Sequence, residues 1–188
     1  MANKSSYLIV TGEPGVGKTT LIKKIASIIA SKNIKVSGFY TEEIRKNGTR
    51  EGFDIVTLDG VRGRLARDQA ILNGPIKFKV GKYGVLVQEF ENVALPCLDN
   101  TQNNSHGLLV IDEIGKMEFF STNFKNKMRY IFSQQSSCLV LASIPIRKSD
   151  TLIENIRNHN KTKIWTVTRE NRNHICEDIL REIENTGL

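Results

Sequence analysis

Eight consecutive residues, Gly12-Glu13-Pro14-Gly15-Val16-Gly17-Lys18-Thr19, fill every fixed position of the pattern GxxxxGK(S/T) and constrain this chain more than any other feature. An apolar run, Tyr7–Thr11, precedes them and reads as a strand. Behind them, Leu21, Ile22, Ile25, Ile28 and Ile29 recur at three- and four-residue spacing, which predicts a helix over Gly17–Ser31. Strand, glycine-rich turn and helix N-terminus in that order form a phosphate cradle. Successive backbone N–H groups must converge on one anion, and glycine supplies the dihedrals and the close approach. The helix adds the positive end of its dipole. Lys18 contributes a point charge within reach of the β- and γ-phosphates of a nucleotide. The Thr19 hydroxyl is a ligand for Mg²⁺, and Thr20 closes the segment.

A second segment fits the first. His106-Gly107-Leu108-Leu109-Val110-Ile111-Asp112-Glu113 reads as a buried strand, Leu108–Asp112, that ends in two carboxylates. In proteins with such a cradle the first acid holds the hydration shell of Mg²⁺, which assigns Asp112 to the metal together with Thr19. Side chains of adjacent strand residues point apart, so Glu113 is free to face the γ-phosphate and to orient or deprotonate a water. Lys18, Asp112 and Glu113 are therefore the candidate catalytic residues. Lys116 and Glu118, just beyond, are candidates for contact with the site, with a surface ion pair as the alternative.

Further candidates lie on the segment after the first helix. Glu42 or Glu43, at the end of a strand expected over Lys35–Glu42, is placed to approach Mg²⁺ or water. Arg45, Arg50, Arg62, Arg64 and Arg67 are candidates for a charge that stabilises the transition state, with a solvated hairpin face as the competing account. No (N/T)KxD motif is present, and Thr162-Lys163-Ile164-Trp165 lacks the Asp, so no residue pattern selects guanine. Loose base selectivity follows. Trp165 reads as core.

Composition narrows the class. Apolar residues make up 39% and charged residues 25%, a globular balance that excludes a disordered chain. The apolar runs Tyr7–Val10 and Leu108–Ile111 fall far short of the ~20 residues of a membrane span. No apolar leader of signal-peptide length opens the chain, and Cys97, Cys138 and Cys176 form no CxxC pair. The expected location is the cytoplasm, with the nucleus as the alternative. Net charge is +7, and nine Lys/Arg against four Asp/Glu fall between Arg45 and Lys82. A bound nucleoside triphosphate, itself a polyanion, accounts for part of this bias. A nucleic-acid partner is motivated by the charge alone. A monomer is expected.

Along the chain, apolar strands alternate with helical segments, which predicts a three-layer α/β fold on a mostly parallel sheet. Asn47-Gly48 is a hairpin signal. Gly52–Leu58, Gly63–Arg67, Ile76–Val80 and Val85–Phe90 then read as short strands, giving a β-hairpin-rich insertion around residues 43–91 within a single domain spanning 1–188. Later elements are a helix within Asn92–Asn100, a helix from a Ser121 cap to Gln135, a strand Cys138–Ser143 and a helix Ser149–Asn158. A strand Lys163–Val167 and a helix Glu170–Asn185 complete the chain.

Four segments together resemble the nucleoside-triphosphatase family first described from thermophiles: Thr11–Thr20 (TGEPGVGKTT), Gly38–Arg67 (GFYTEEIRKNGTREGFDIVTLDGVRGRLAR), Val110–Ser121 (VIDEIGKMEFFS) and Thr168–His174 (TRENRNH). The resemblance implies a P-loop domain of the RecA-like or kinase-like kind. It also implies hydrolysis of ATP, GTP and other triphosphates, and a second nucleotide-binding segment at Leu108-Leu109-Val110-Ile111-Asp112-Glu113-Ile114-Gly115. Three other functions use the same cradle: a kinase for a small molecule or polynucleotide, a slow nucleotide-dependent switch, and a nucleic-acid-stimulated ATPase.

Overall fold

The computed structural model describes residues 6–99, 107–133 and 139–188. Its strands are β1 (Tyr7–Thr11), β2 (Lys35–Lys46), β3 (Thr49–Thr57), β4 (Arg62–Asp68), β5 (Lys79–Val80), β6 (Tyr83–Val85), β7 (Gly107–Asp112), β8 (Leu139–Ser143) and β9 (Thr162–Thr166). Its helices are α1 (Lys18–Ser31), α2 (Val87–Asp99), α3 (Thr122–Ile131), α4 (Thr151–Arg157) and α5 (Ile175–Asn185). All nine strands lie in one sheet, in the order β5-β6-β4-β3-β2-β7-β8-β1-β9. The half from β2 to β9 is parallel. Across β2 the sheet continues antiparallel through β3, β4, β6 and β5.

Burial on both faces explains the layers. Every residue of β1, β7 and β8 is buried, as continuous apolar runs in a parallel sheet require. Alternate side chains then go to opposite faces. Tyr7, Ile9, Leu109, Ile111 and Val140 pack with Phe90, Phe124 and Ile153 of α2, α3 and α4. Leu8, Val10, Leu108, Val110 and Leu141 pack with Ile22, Ile25 and Ile179 of α1 and α5. This is the three-layer α/β arrangement that the alternation of strands and helices predicts. No helix among the described residues is long and apolar enough to cross a membrane.

The stretch 43–91 comprises the outer part of β2, then β3 to β6, and the first turns of α2. Two strand expectations there are corrected. Val85–Phe90 is not a strand: β6 ends at Val85 and α2 begins at Val87. Phe90, Val93, Ala94 and Leu98 bury at helical spacing, and Glu89 suits the positive end of the helix. A short apolar run fits either period, and the packing face of α2 decided for 3.6. Ile76–Val80 shrinks to the two-residue β5. Pro96 sits inside α2, which absorbs the helix expected over 92–100; Asn100 lies outside the described residues. The last helix starts at Ile175 rather than Glu170, because Thr168 and Asn171 pair with each other in a turn, Thr168 N–H donating to Asn171 Oδ1 at 2.8 Å. The expected ends of α3 and β8 at Gln135 and Cys138 also lie outside the described residues.

Candidate functional site

The phosphate loop leaves β1 at the carboxyl end of the parallel strands. There the chain departs through α1 to β2, on the far side of β7 and β8, and the reversal of strand order opens a crevice. Gly12 enters the loop with φ 152°, and a Cβ at that position would stand 2.6 Å from the Val167 carbonyl oxygen. Only glycine passes so close to the strand end. Gly17 follows at φ 113° as the residue that opens α1.

The start of α1 differs from the starts of α3 and α4. Ser121 caps α3 by accepting from Phe124 N–H at 2.9 Å, and Asp150 caps α4 by accepting from Leu152 N–H at 2.9 Å. α1 has no side-chain cap and no acid in its first turn. Among the described residues no side chain caps its leading N–H donors, the arrangement an anion site needs. Lys18 folds back over the loop, donating to the carbonyl oxygens of Gly12 at 2.9 Å and Glu13 at 3.3 Å.

β7 carries Asp112 to the same place. Thr19 Oγ1 donates to Asp112 Oδ2 at 2.5 Å, and Ser143 Oγ, from the end of β8, donates to Oδ1. Asp112 is 1% exposed and Ser143 0%. Burial pushes the Asp112 carboxyl above its usual range, while the Ser143 and Thr19 hydrogen bonds and the Lys18 charge hold it down. Glu113 is raised chiefly by burial, opposed by Lys18 and reinforced by Asp112.

Glu118 belongs to this neighbourhood and not to the surface. It is 4% exposed, and burial first, then the Glu113 charge, push it up to about 8. A Cβ on Gly115 would lie 2.9 Å from Glu113 Oε1 and 3.0 Å from Glu118 Oε2, so both carboxyl groups converge over that glycine. Lys116 is exposed.

Two cavities open here. One of about 460 Å³ is lined by Gly12, Glu13, Pro14, Lys18 and Glu113 on one side and by Pro145, Ile146 and Arg147 on the other. Its neighbour, about 310 Å³, lies between Glu13–Val16 and the segment 166–170. Leu108 to Ile111 line neither; they are core residues that set where Asp112 emerges. Ile114 is also buried, and its N–H donates to the Ser143 carbonyl at 2.9 Å, which ties β7 to β8 beside the site. Thr20 is exposed on α1.

A family model described as NTPase matches residues 7–180. The chain belongs to the NTPase family. The human cancer-related nucleoside-triphosphatase is 43% identical over 186 residues, covering 96% of this chain and 97% of the human protein. The nucleoside-triphosphatase THEP1 of Thermotoga sp. (strain RQ2) is 40% identical over 173 residues, covering 92% of each chain. The crystal structure of THEP1 from Aquifex aeolicus superposes with a TM-score of 0.80 at 39% identity, over 93% of this chain and 97% of that one. The solution structure of the human protein gives a TM-score of 0.80 at 41% identity, over 96% and 98%.

In this NTPase-family chain the candidate acids and arginines of the antiparallel strands engage one another. Glu42 accepts from Arg62 and lies 3.6 Å from Lys23 Nζ. Glu43 takes Arg45, and Arg50 at 2.5 Å. Arg64 donates to both oxygens of Glu89. Arg62 and Arg67 both reach the buried Asp54. Cross-strand packing brings together Glu42 with Arg62, Glu43 with Arg50 and Asp54 with Arg62 and Arg67, whereas Arg45 shares a strand with Glu43 and Glu89 is on α2. The register of these strands orders them away from the phosphate loop, and none of these side chains lines the 460 Å³ cavity. Sequence reasoning missed Ser143, Arg147 and the burial of Glu118. A small polar residue ending an apolar run, as Ser143 ends 139–143, was the one available signal for the first.

Proposed function

We propose that the chain hydrolyses nucleoside 5′-triphosphates to the diphosphate and phosphate, with Mg²⁺ and with little preference among bases. One observation carries this reading. Lys18 and Glu113 line a cavity at the start of a helix that carries no side-chain cap, and Thr19, next to Lys18, is hydrogen-bonded to Asp112, next to Glu113.

The residues divide the work. Backbone N–H groups from Gly15 to Thr19 hold the β- and γ-phosphates. Lys18 exchanges the Gly12 and Glu13 carbonyls for phosphate oxygens. Thr19 and Asp112 would hold Mg²⁺: two hard oxygen donors are already in contact, and the desolvated carboxylate favours a cation beside it. When bound, the ion neutralises phosphate charge. Ser143 keeps the Asp112 carboxylate in that orientation. Glu113 accepts the proton of the attacking water, and its raised affinity for protons suits a general base. The missing (N/T)KxD motif supports a broad base range.

Phosphate release without any added acceptor separates this reading from a kinase. The assay runs over ATP, GTP, CTP, UTP and their deoxy forms, with Mg²⁺ and with chelator. Release is expected for all of them with Mg²⁺ only, with ATP and GTP within about tenfold, or roughly 1.4 kcal/mol. Lys18→Ala should lose nearly all release while remaining folded, and Glu113→Gln should lose about 10²–10⁴-fold with nucleotide affinity kept. Wild-type release by a folded Lys18→Ala protein would remove the phosphate-loop assignment.

A further inference from the structure

We propose that Arg147 is a catalytic residue, supplying from within the chain the positive charge that stabilises the transition state at the γ-phosphate. The proposal rests on the hydrolase reading above. Its first support is position. Arg147 lines the 460 Å³ cavity together with Lys18 and Glu113, the groups assigned to the phosphates and to water. β8 is hydrogen-bonded to both β1 and β7, so the loop that follows it emerges between the phosphate loop and the acidic pair.

The second support is charge accounting. The five arginines of the antiparallel strands are committed to carboxylates: Arg45 and Arg50 to Glu43, Arg62 to Glu42 and Asp54, Arg64 to Glu89, and Arg67 to Asp54. Recruiting any of them would break at least one existing ion pair. Among the described residues Arg147 has no hydrogen-bond or ion-pair partner, so its guanidinium is available without breaking a pair.

The third support is how the loop is held. Ile144 is fully buried, and its N–H donates to the Val10 carbonyl at 3.0 Å. The next residue, Pro145, accepts through its carbonyl from Arg157 Nη2 at 2.5 Å, and Arg157 is itself anchored by Glu154 at 3.2 Å. The backbone is thus fixed two residues before Arg147, while the side chain beyond it is exposed and able to swing over the cavity.

The chemistry needs such a group. The water oxygen forms a bond to the γ-phosphorus as the bond from phosphorus to the β–γ bridging oxygen breaks. The electron pair of that bond leaves with the diphosphate, and the water proton passes to Glu113. Negative charge shifts toward the bridging oxygen and stays spread over the γ-oxygens. A planar guanidinium donates two parallel N–H bonds to a pair of such oxygens in a fixed geometry, whereas a lysine acts as a point charge. Lys18 holds the charge already present in the ground state; Arg147 meets what develops in the transition state.

The test compares the full chain with Arg147→Ala, Arg147→Lys, Lys148→Ala and Lys18→Ala, measuring kcat and KM for ATP with Mg²⁺, ADP affinity, and trapping of ADP by aluminium fluoride, a mimic of the transferring group. Arg147→Ala should lose about 10²–10³-fold in kcat with ADP affinity within about threefold, and should fail to trap ADP–aluminium fluoride. Arg147→Lys should recover part of the loss. Lys148→Ala, which removes the same charge one residue on, should match the wild type. Wild-type kcat in Arg147→Ala would overturn the proposal. So would undiminished trapping, or weaker ATP and ADP binding with kcat unchanged. If Lys18→Ala is inactive while Arg147→Ala is active, only the Arg147 assignment fails. If folded Lys18→Ala is active, the hydrolase site itself lies elsewhere and both fail.

Discussion

A carboxyl group buried as deeply as that of Glu118, with Glu113 and Asp112 as charged neighbours, holds its proton more tightly in the folded chain than in the unfolded one. Its folded value of about 8 stands above its ordinary 4.5. The folded state therefore binds more protons across that interval. The stability this contributes is complete below about pH 4.5 and is lost as pH rises through about 8. Glu118→Gln keeps the shape and carries no proton to lose. The melting temperature of the wild type should fall relative to that of Glu118→Gln as pH rises across this window, without nucleotide or metal. A constant difference between the two proteins would mean that Glu118 ionises as an ordinary surface acid. The same burial decides between the two readings that the sequence leaves open for this residue, contact with the site and a surface ion pair. GKME fits either reading, and only the folding of a short 3-10 helix, Glu118–Phe120, with the Glu118 carboxyl turned toward Gly115, removes that carboxyl from water.

At the scale of the element, α1 is the helix whose N-terminus faces the cavity, and its stability and its ligand affinity pull in opposite directions. An uncapped start leaves donors for a phosphate and costs the free protein a cap. Thr20 is exposed in the first turn. Thr20→Asp would place a negative charge at the positive end of the helix, worth about 0.3–1 kcal/mol to the free protein. The same charge repels a triphosphate. Thermal unfolding without ligand should shift upward while titration with a non-hydrolysable ATP analogue shows several-fold weaker binding. Unchanged affinity in a stabilised Thr20→Asp protein would separate the α1 terminus from the phosphate site. α1 was legible because both its signals are local: the motif before it and the apolar stripe along it. α2 was not, because Val-Leu-Val-Gln-Glu-Phe satisfies a strand and a helix equally until Phe39 and Phe124 provide the face against which Phe90 packs.

For the whole molecule, the antiparallel strands and the parallel strands share β2, which runs unbroken from Lys35 to Lys46. The side chain of Asp54 is buried in the antiparallel part and carries Arg62 at 2.8 Å and Arg67. Removing Asp54 leaves the buried Arg67 without its carboxylate, while the half-exposed Arg62 keeps Glu42, and costs about 3 kcal/mol. Asp54→Ala should lower the unfolding free energy by that much, read as a lower urea midpoint at unchanged slope in a single cooperative transition, because β2 couples the two halves of the sheet. A separate early transition with the parallel half intact would show that the β3–β6 region folds as its own unit.

The phosphate loop and the Asp112-Glu113 strand end were determined by the sequence alone, because an anion cradle is a matter of backbone dihedrals and of side chains within a few residues of one turn. Tertiary structure decided which other residues join them. Glu42, Arg45 and Arg64 carry suitable charges, but the fold pairs Glu42 with Arg62 of β4, Arg45 with Glu43 of its own strand and Arg64 with Glu89 of α2. Ser143 and Arg147 reach the site because β8 inserts between β7 and β1. That order of strands follows from which apolar faces the helices cover, and a linear pattern of apolar residues records that a strand is buried without recording its neighbours.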